Sequence, residues 1–261
     1  MTFSTDQFRL DDKVAIITGA GGRGNSIGRA YAMGLAAAGA SVVAADINKD
    51  GAQSVADEIT AAGGQAVASH VDITDRTSVE AMARTAEDAF GGVDILVNNA
   101  ALMVEIVQTP AMQIDLDAWN RALAVNLTGA LNCSQAVAPL MAERGGGKIV
   151  NQVSGGAFPA STVYGITKIA LVGLTTTLAR ELGPQKINVN AIAPGNTSSD
   201  AGKSITPEDS PFVKMLEASI AMRMRGEPDE LVGALLLLCS QAGSWLTGQV
   251  IHVDGGWIIR P

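Results

Sequence analysis

Val14-Ala-Ile-Ile-Thr-Gly-Ala-Gly-Gly-Arg-Gly-Asn-Ser-Ile-Gly28 is the stretch whose reading decides the fold. Val14–Thr18 is short, apolar and β-branched, the pattern of a buried strand, and from Ser26 onward a helical pattern runs to Gly39. Gly19, Gly21, Gly22 and Gly24 lie between. Glycines let the N–H groups of a turn approach a charged oxygen closely. The first turn of the following helix adds unpaired N–H groups and the positive end of its dipole. Strand, turn and helix together specify a β–α unit that receives a pyrophosphate.

The same alternation continues along the chain. Runs at 41–46, 66–71, 93–97, 148–153, 187–192 and 249–253 read as six further strands, and helices are expected at 26–38, 49–62, 75–90, 115–144, 163–183 and 228–241. Near-continuous Val, Ile and Ala in the strands predict a parallel sheet covered on both faces. The expected architecture is an α/β doubly wound sandwich of Rossmann type, a single domain over 1–261 without repeats or linkers.

Composition narrows the function classes. The chain has 261 residues, 47% of them hydrophobic, with a formal net charge of −8. That charge opposes docking to nucleic acid or to an anionic membrane. Cys133 and Cys239 sit in apolar helical runs without metal-ligand spacing, so both read as reduced core thiols. Residues 1–12 show no secretory pattern, and the apolar run Leu231–Cys239 is too short to span a bilayer. A cytoplasmic protein is expected, with no metal.

Tyr164 and Lys168 carry the chemistry. Their spacing places a phenol and an ammonium on one helix face, where a close cation is expected to lower the phenol's pKa. Ser154 follows the apolar run beginning at Lys148, so a strand would present its hydroxyl at the carboxyl edge of the sheet. Three such groups around one oxygen can exchange a proton with an alcohol or ketone.

These residues have company: Thr18-Gly19 with Ile27-Gly28, Asn98-Asn99-Ala100, Val125-Asn126-Leu-Thr-Gly129, Pro194-Gly195, and Val253-Asp254-Gly255-Gly256. In this order, over nearly the whole chain, they resemble the classical short-chain dehydrogenase/reductase family. The resemblance implies strand order 3-2-1-4-5-6-7 and a substrate lid at about 196–225, where the connection is longer than usual and carries an amphipathic piece, Phe212–Met224. It implies a catalytic set of Asn126, Ser154, Tyr164 and Lys168, with Asn126 at a helix distortion holding a water for the lysine. It further implies a homotetramer, with the long helices 115–144 and 163–183 pairing across subunits.

For the cofactor, the resemblance points to Gly19, Ser26, Ile27 and Gly28 at the phosphates, and to Asp72 and Ile73 near adenine, although Asp72 also suits a helix cap. It places Asn98 beside the adenosine ribose and the central sheet, with Ala100 close by, and Pro194, Gly195, Thr197 and Ser199 beside the nicotinamide, which Tyr164 and Lys168 also border. Asp46 ends the second strand, where a carboxylate accepts ribose hydroxyls and repels a 2′-phosphate, so NAD is expected; Arg23 alone points to NADP. The implied substrate wall is Leu102, Met103, Val104, Gly155, Gly156, Phe158 and Asn196, with Phe212 and Met215 of the lid. Such an apolar wall suits a compact, cyclic secondary alcohol. His70 and His252 read as structural and remote from the catalytic set, and Arg260 as a solvated terminal arginine.

Two departures stand out. Thr18 to Gly28 spans eleven residues, longer than the family's Thr-Gly-x-x-x-Gly-Ile-Gly, and Ser26 replaces the middle glycine. This resembles the enoyl-acyl-carrier-protein reductase branch, but that branch separates its Tyr and Lys more widely, and Arg223 and Arg225 are the only local basic pair for an acidic carrier. Ser154 and Tyr164 are ten residues apart, closer than is common in the family, which shortens the loop at 155–159 and should open that side of the cleft. A silent NAD-binding sensor would have lost Ser, Tyr or Lys; none is lost.

Overall fold

A computed structural model describes residues 4–22, 24–207 and 210–259, with Phe212 described by its backbone alone. Arg23, Arg260 and the Phe212 side chain, each weighed above, lie outside the described residues. Seven parallel strands form one sheet in the order β3-β2-β1-β4-β5-β6-β7. They are β1 Val14–Thr18, β2 Ser41–Asp46, β3 Gln65–His70, β4 Ile95–Asn98, β5 Gly147–Gln152, β6 Ile187–Pro194 and β7 Val250–Val253. The helices are α1 Ile27–Ala37, α2 Lys49–Ala61, α3 Arg76–Phe90, α4 Leu116–Leu123, α5 Gly129–Glu143, α6 Val163–Leu182, α7 Asp200–Ile205, α8 Pro211–Ser219 and α9 Val232–Cys239.

Strand alternation builds two cores. Ala15 and Ile17 face one way, onto Tyr31, Leu35, Ile59, Leu235 and Leu238; Val14 and Ile16 face the other, onto Val79, Met82, Val137 and Met141. Each fully buried aliphatic side chain contributes about 1.5–3 kcal/mol. The strand order reverses between β1 and β4, which pair from Ala15–Ile95 to Ile17–Val97, so the glycine turn and Asn98–Ala100 emerge side by side at the carboxyl edge.

Three expectations change. The helix expected over 115–144 is interrupted by a π turn, Ala124–Thr128, centred on Asn126. The helix expected at 228–241 is a 3-10 turn, Pro228–Leu231, followed by the shorter α9. The amphipathic piece beginning at Phe212 stops at Ser219, and Arg223 has φ 51°, a left-handed backbone that a helix cannot contain. Residues after β6 form an excursion containing α7 and α8, closed at its base by a neck: Gly226 N donates to Asn196 O (3.1 Å) and Ser198 N donates to Gly226 O (2.8 Å).

Candidate active site

The glycine turn is held by Asn99. Its Nδ2 donates to the carbonyls of Thr18 (3.0 Å) and Gly19 (3.1 Å), while Thr18 Oγ1 accepts from the N–H groups of Asn99 (3.1 Å) and Ala100 (3.2 Å). A Cβ on Gly19, which has φ 70°, would meet Ala100 Cα at 2.8 Å, and one on Gly28 would collide with the Gly19 carbonyl. These glycines let the turn, the start of α1 and Asn99–Ala100 pack backbone against backbone. Ile27 opens that helix, and Ser26 caps it by accepting from Arg29 N (3.2 Å). Asn98 does not present its side chain here: its Nδ2 turns into the sheet and donates to Asn151 Oδ1 (2.8 Å).

Asp46 is also part of the turn. Its carboxylate accepts from Gly21 N (2.8 Å) and Asn48 N (2.8 Å), and Asn48 Nδ2 donates to Gly21 O (3.2 Å). Asp72 accepts from Thr74 Oγ1 (2.7 Å) and Thr74 N (2.9 Å), which holds its carboxyl below the usual range; the cap of α3 is Asp75 instead. Ile73 packs on Gly129 at the start of α5, and its carbonyl accepts from Asn132 Nδ2 (3.0 Å).

Tyr164 and Lys168 stand one turn apart at the start of α6, which Thr162 caps by accepting from Gly165 N (3.0 Å). Lys168 is fully buried and Tyr164 partly buried, and Lys168 Nζ lies 5.5 Å from the Tyr164 ring centroid. Nζ donates to the Gln152 carbonyl at 2.8 Å. Burial pushes the Lys168 ammonium down to about 7 and the Tyr164 phenol up. The expected lowering of the phenol by its neighbour is therefore reversed, because desolvation disfavours the charged form of each group. Ser154 Oγ accepts from Gly156 N (3.1 Å), which leaves its own proton to donate elsewhere.

Asn126 sits in the π turn, as a distortion there predicts, but its amide is already satisfied. Oδ1 accepts from Leu102 N (2.7 Å); Nδ2 donates to Leu102 O (2.9 Å) and Thr167 Oγ1 (3.0 Å). The side chain thus clamps Leu102 to α6. Thr167 escaped the sequence reading; only its place beside Lys168 hinted at it.

On the expected substrate side, Met103 O accepts from Ile106 N and Val107 N, making a turn that leaves Val104 half exposed. A Cβ on Gly155 would come within 2.9 Å of the Trp257 ring, and Phe158 lies 4.7 Å from the His252 ring. The shortened loop therefore folds back on the C-terminal segment, with Phe158 beside His252. His70 stands opposite Asp46 at the far side of the sheet. Met215 is 63% exposed.

After β6, Gly195 N donates to Val253 O (3.1 Å), and Pro194 pairs with Val253 in the sheet. Thr197 Oγ1 and Ser199 Oγ are 3.2 Å apart, and Ser199 caps α7. Asn196 Oδ1 accepts from Arg225 Nη2 (3.2 Å). Arg225 is buried and also donates to Thr206 O (2.9 Å) and Thr206 Oγ1 (2.7 Å), so it offers no patch for an acidic carrier. Its burial carried no signal in Met222-Arg-Met-Arg. Among the described residues no helix is long and apolar enough to cross a membrane.

Comparison with known proteins fits this geometry. A family profile described as Enoyl-(Acyl carrier protein) reductase matches residues 22–258. An uncharacterized oxidoreductase of Mycobacterium tuberculosis is 50% identical over 251 residues, covering 96% of this chain and 99% of the relative. The solved structure of a 7α-hydroxysteroid dehydrogenase complexed with NADH and 7-oxo glycochenodeoxycholic acid superposes with TM-score 0.89 at 40% identity, covering 98% of each chain. That of a gluconate 5-dehydrogenase from Burkholderia cenocepacia, in complex with NADP and tartrate, gives TM-score 0.89 at 34% identity, covering 97% of each. Seven strands in this order, the glycine turn at the reversal point and similarity over almost the full length make the chain a member of the short-chain dehydrogenase/reductase family of oxidoreductases.

Proposed function

We propose that this oxidoreductase interconverts an apolar, cyclic secondary alcohol and its ketone with NAD(H). The observation that carries the reading is the pair Tyr164 and buried Lys168, one helical turn apart on α6, with Lys168 tied to the strand end that leads to Ser154. The glycine turn between β1 and α1, at the point where the strand order reverses, suits a dinucleotide. Gly19, Ser26, Ile27 and Gly28 hold its phosphates; Asp72, Ile73 and the main chain at Asn98–Ala100 border the adenosine half; Pro194, Gly195, Thr197 and Ser199 border the nicotinamide half. When bound, the nicotinamide takes up or returns the hydride of the carbinol carbon.

Tyr164 moves the proton, and Ser154 donates a hydrogen bond to the same substrate oxygen. A proton count explains how a phenol raised by burial can serve. With Lys168 at about 7, the pair is one proton short above neutrality. Phenolate with ammonium, and phenol with amine, hold the same number of protons; a titration belongs to the pair. An alcohol proton received at the Tyr164 oxygen restores the missing one. Asn126 contributes by fixing Leu102 and Thr167 around this centre.

NAD is favoured over NADP by the Asp46 carboxylate beside Gly21 and Asn48, and by Arg29, whose charge near that turn is already matched by Glu58. Met103, Val104, Gly155, Gly156, Phe158 and Asn196 form the substrate wall, and residues 196–225 act as the lid of a single domain. That wall has few hydrogen-bond partners, so each unpaired sugar hydroxyl would cost about 1 kcal/mol or more. The similarity to a hydroxysteroid dehydrogenase supports an apolar ring. A cytoplasmic homotetramer completes the reading, supported by two buried free cysteines and by exposed apolar residues such as Ile169 and Trp245.

The test is turnover with NAD+ on cyclohexanols and hydroxysteroids, set against 3-hydroxyacyl and enoyl thioesters with either cofactor. Clearly higher efficiency on a thioester rejects the alcohol reading in favour of a thioester reductase. Dinucleotide binding without turnover of any of them favours a silent sensor.

A further inference from the structure

The neck of the lid is fastened to the cofactor turn by one residue. Asn25 O accepts from Asp200 N (3.0 Å), the first residue of α7, and Asn25 Nδ2 donates to Ser198 O (3.4 Å) and to Glu227 Oε2 (3.1 Å). Ser198 lies on the outgoing side of the neck and Glu227 immediately after the returning side, so Asn25 holds both. Beside it, Gly24 has φ 59° and packs against the Asp200 carboxylate so closely that a Cβ would collide. The length of this turn beyond the common family pattern is what carries Asn25 across. Within the neck, Arg225 binds Asn196 and Thr206, the two ends of the segment containing α7, so that segment moves with the neck.

We propose that Asn25 is a positioning residue that couples occupation of the dinucleotide turn to closure of the lid. The proposal rests on the reading of this cleft as a cofactor and substrate site. Its physical content is a shared set of hydrogen bonds: whatever orders Gly24–Ser26 orders Ser198–Asp200 and Glu227 with it. A ligand that touches the turn and not the lid then changes the lid's opening equilibrium. Only a side chain with an amide donor at this position serves, because a carboxylate would face Glu227.

Hydrogen–deuterium exchange of the segment 197–226 tests this without any substrate. In the wild-type protein, saturating NADH or NADPH is expected to slow exchange there roughly tenfold. Asn25→Ala and Asn25→Asp are expected to bind the dinucleotide within about threefold of wild type, read by nicotinamide fluorescence, while the slowing shrinks to less than about twofold. Asn25→Gln should recover part of it. Glu227→Ala cuts one of the bonds from the neck side, leaves the turn intact and should weaken the coupling in the same direction. The proposal is overturned if the Ala and Asp variants keep the full slowing at saturation, or if the wild-type lid does not respond to either dinucleotide. It is also overturned if these variants lose dinucleotide affinity itself, which would make Asn25 a direct ligand. Failure to find a turned-over alcohol would leave each of these readouts unchanged.

Discussion

Lys168 Nζ donates to the main-chain carbonyl of Gln152 at 2.8 Å, tying the first turns of α6 to the last residue of β5. The lysine stays there at a cost in solvation, and burial pulls it from 10.5 to about 7. Between those values the unfolded chain holds a proton that the folded chain lacks, so stability increases with pH across the window. Above pH 9 the trend reverses, because burial holds the thiols of Cys133 and Cys239 protonated, pushed up to about 12, after their unfolded counterparts ionise. From pH 7 to 9 the Lys168 contribution reaches at most ~2.7 kcal/mol. Thermal or urea unfolding of the protein without added nucleotide should show this rise, and Lys168→Met should flatten it. An unchanged rise in the variant would assign it elsewhere.

Tyr164→Phe removes the proton-transferring oxygen and little else. We expect NADH binding to be retained and turnover to fall by about three orders of magnitude. For alcohol oxidation by the wild type, the rate should climb through one ionisation below the value of a free tyrosine, about 10. A variant keeping more than about a tenth of the wild-type rate, or a flat profile from pH 6 to 10 with chemistry limiting, contradicts the assignment.

Asp46→Ser should move cofactor preference. The wild type is expected to use NAD at least about tenfold more efficiently than NADP, a difference of ~1.4 kcal/mol. The variant loses the charge that repels a 2′-phosphate and narrows that ratio, while losing some NAD efficiency because Gly21 N and Asn48 N surrender a carboxylate acceptor. Steady-state kinetics with both cofactors decides it, and equal use by the wild type contradicts the role given to Asp46.

The sheet and the Tyr164–Lys168 pair were legible because they rest on periodicities of two and 3.6 residues, which any reading of the chain exposes. Directions at strand ends were not. Asn98 is the last paired residue of β4, opposite Asn151, so the pleat sends its side chain into the sheet and leaves Asn99 for the turn. A sequence pattern names the dipeptide without saying which residue faces where. The pKa of Tyr164 was misread for a related reason: the spacing shows the ammonium beside it but not the burial of both ionising groups. Arg225 shows the limit in another form, since nothing local distinguishes it from Arg223 until the chain folds over it.

The π turn at Ala124–Thr128 also bears on how this helix tolerates length changes. Such a turn holds one residue more than a regular helix needs, so it acts as a phase offset between α4 and α5. Were the same residues wound as an unbroken α-helix, α4 would rotate by about 100° relative to α5. Ala122, now buried on α4, would leave its seat against Ile106 and Val163, and Asn126 would lose Leu102. The locally more regular helix would belong to a protein with its site taken apart.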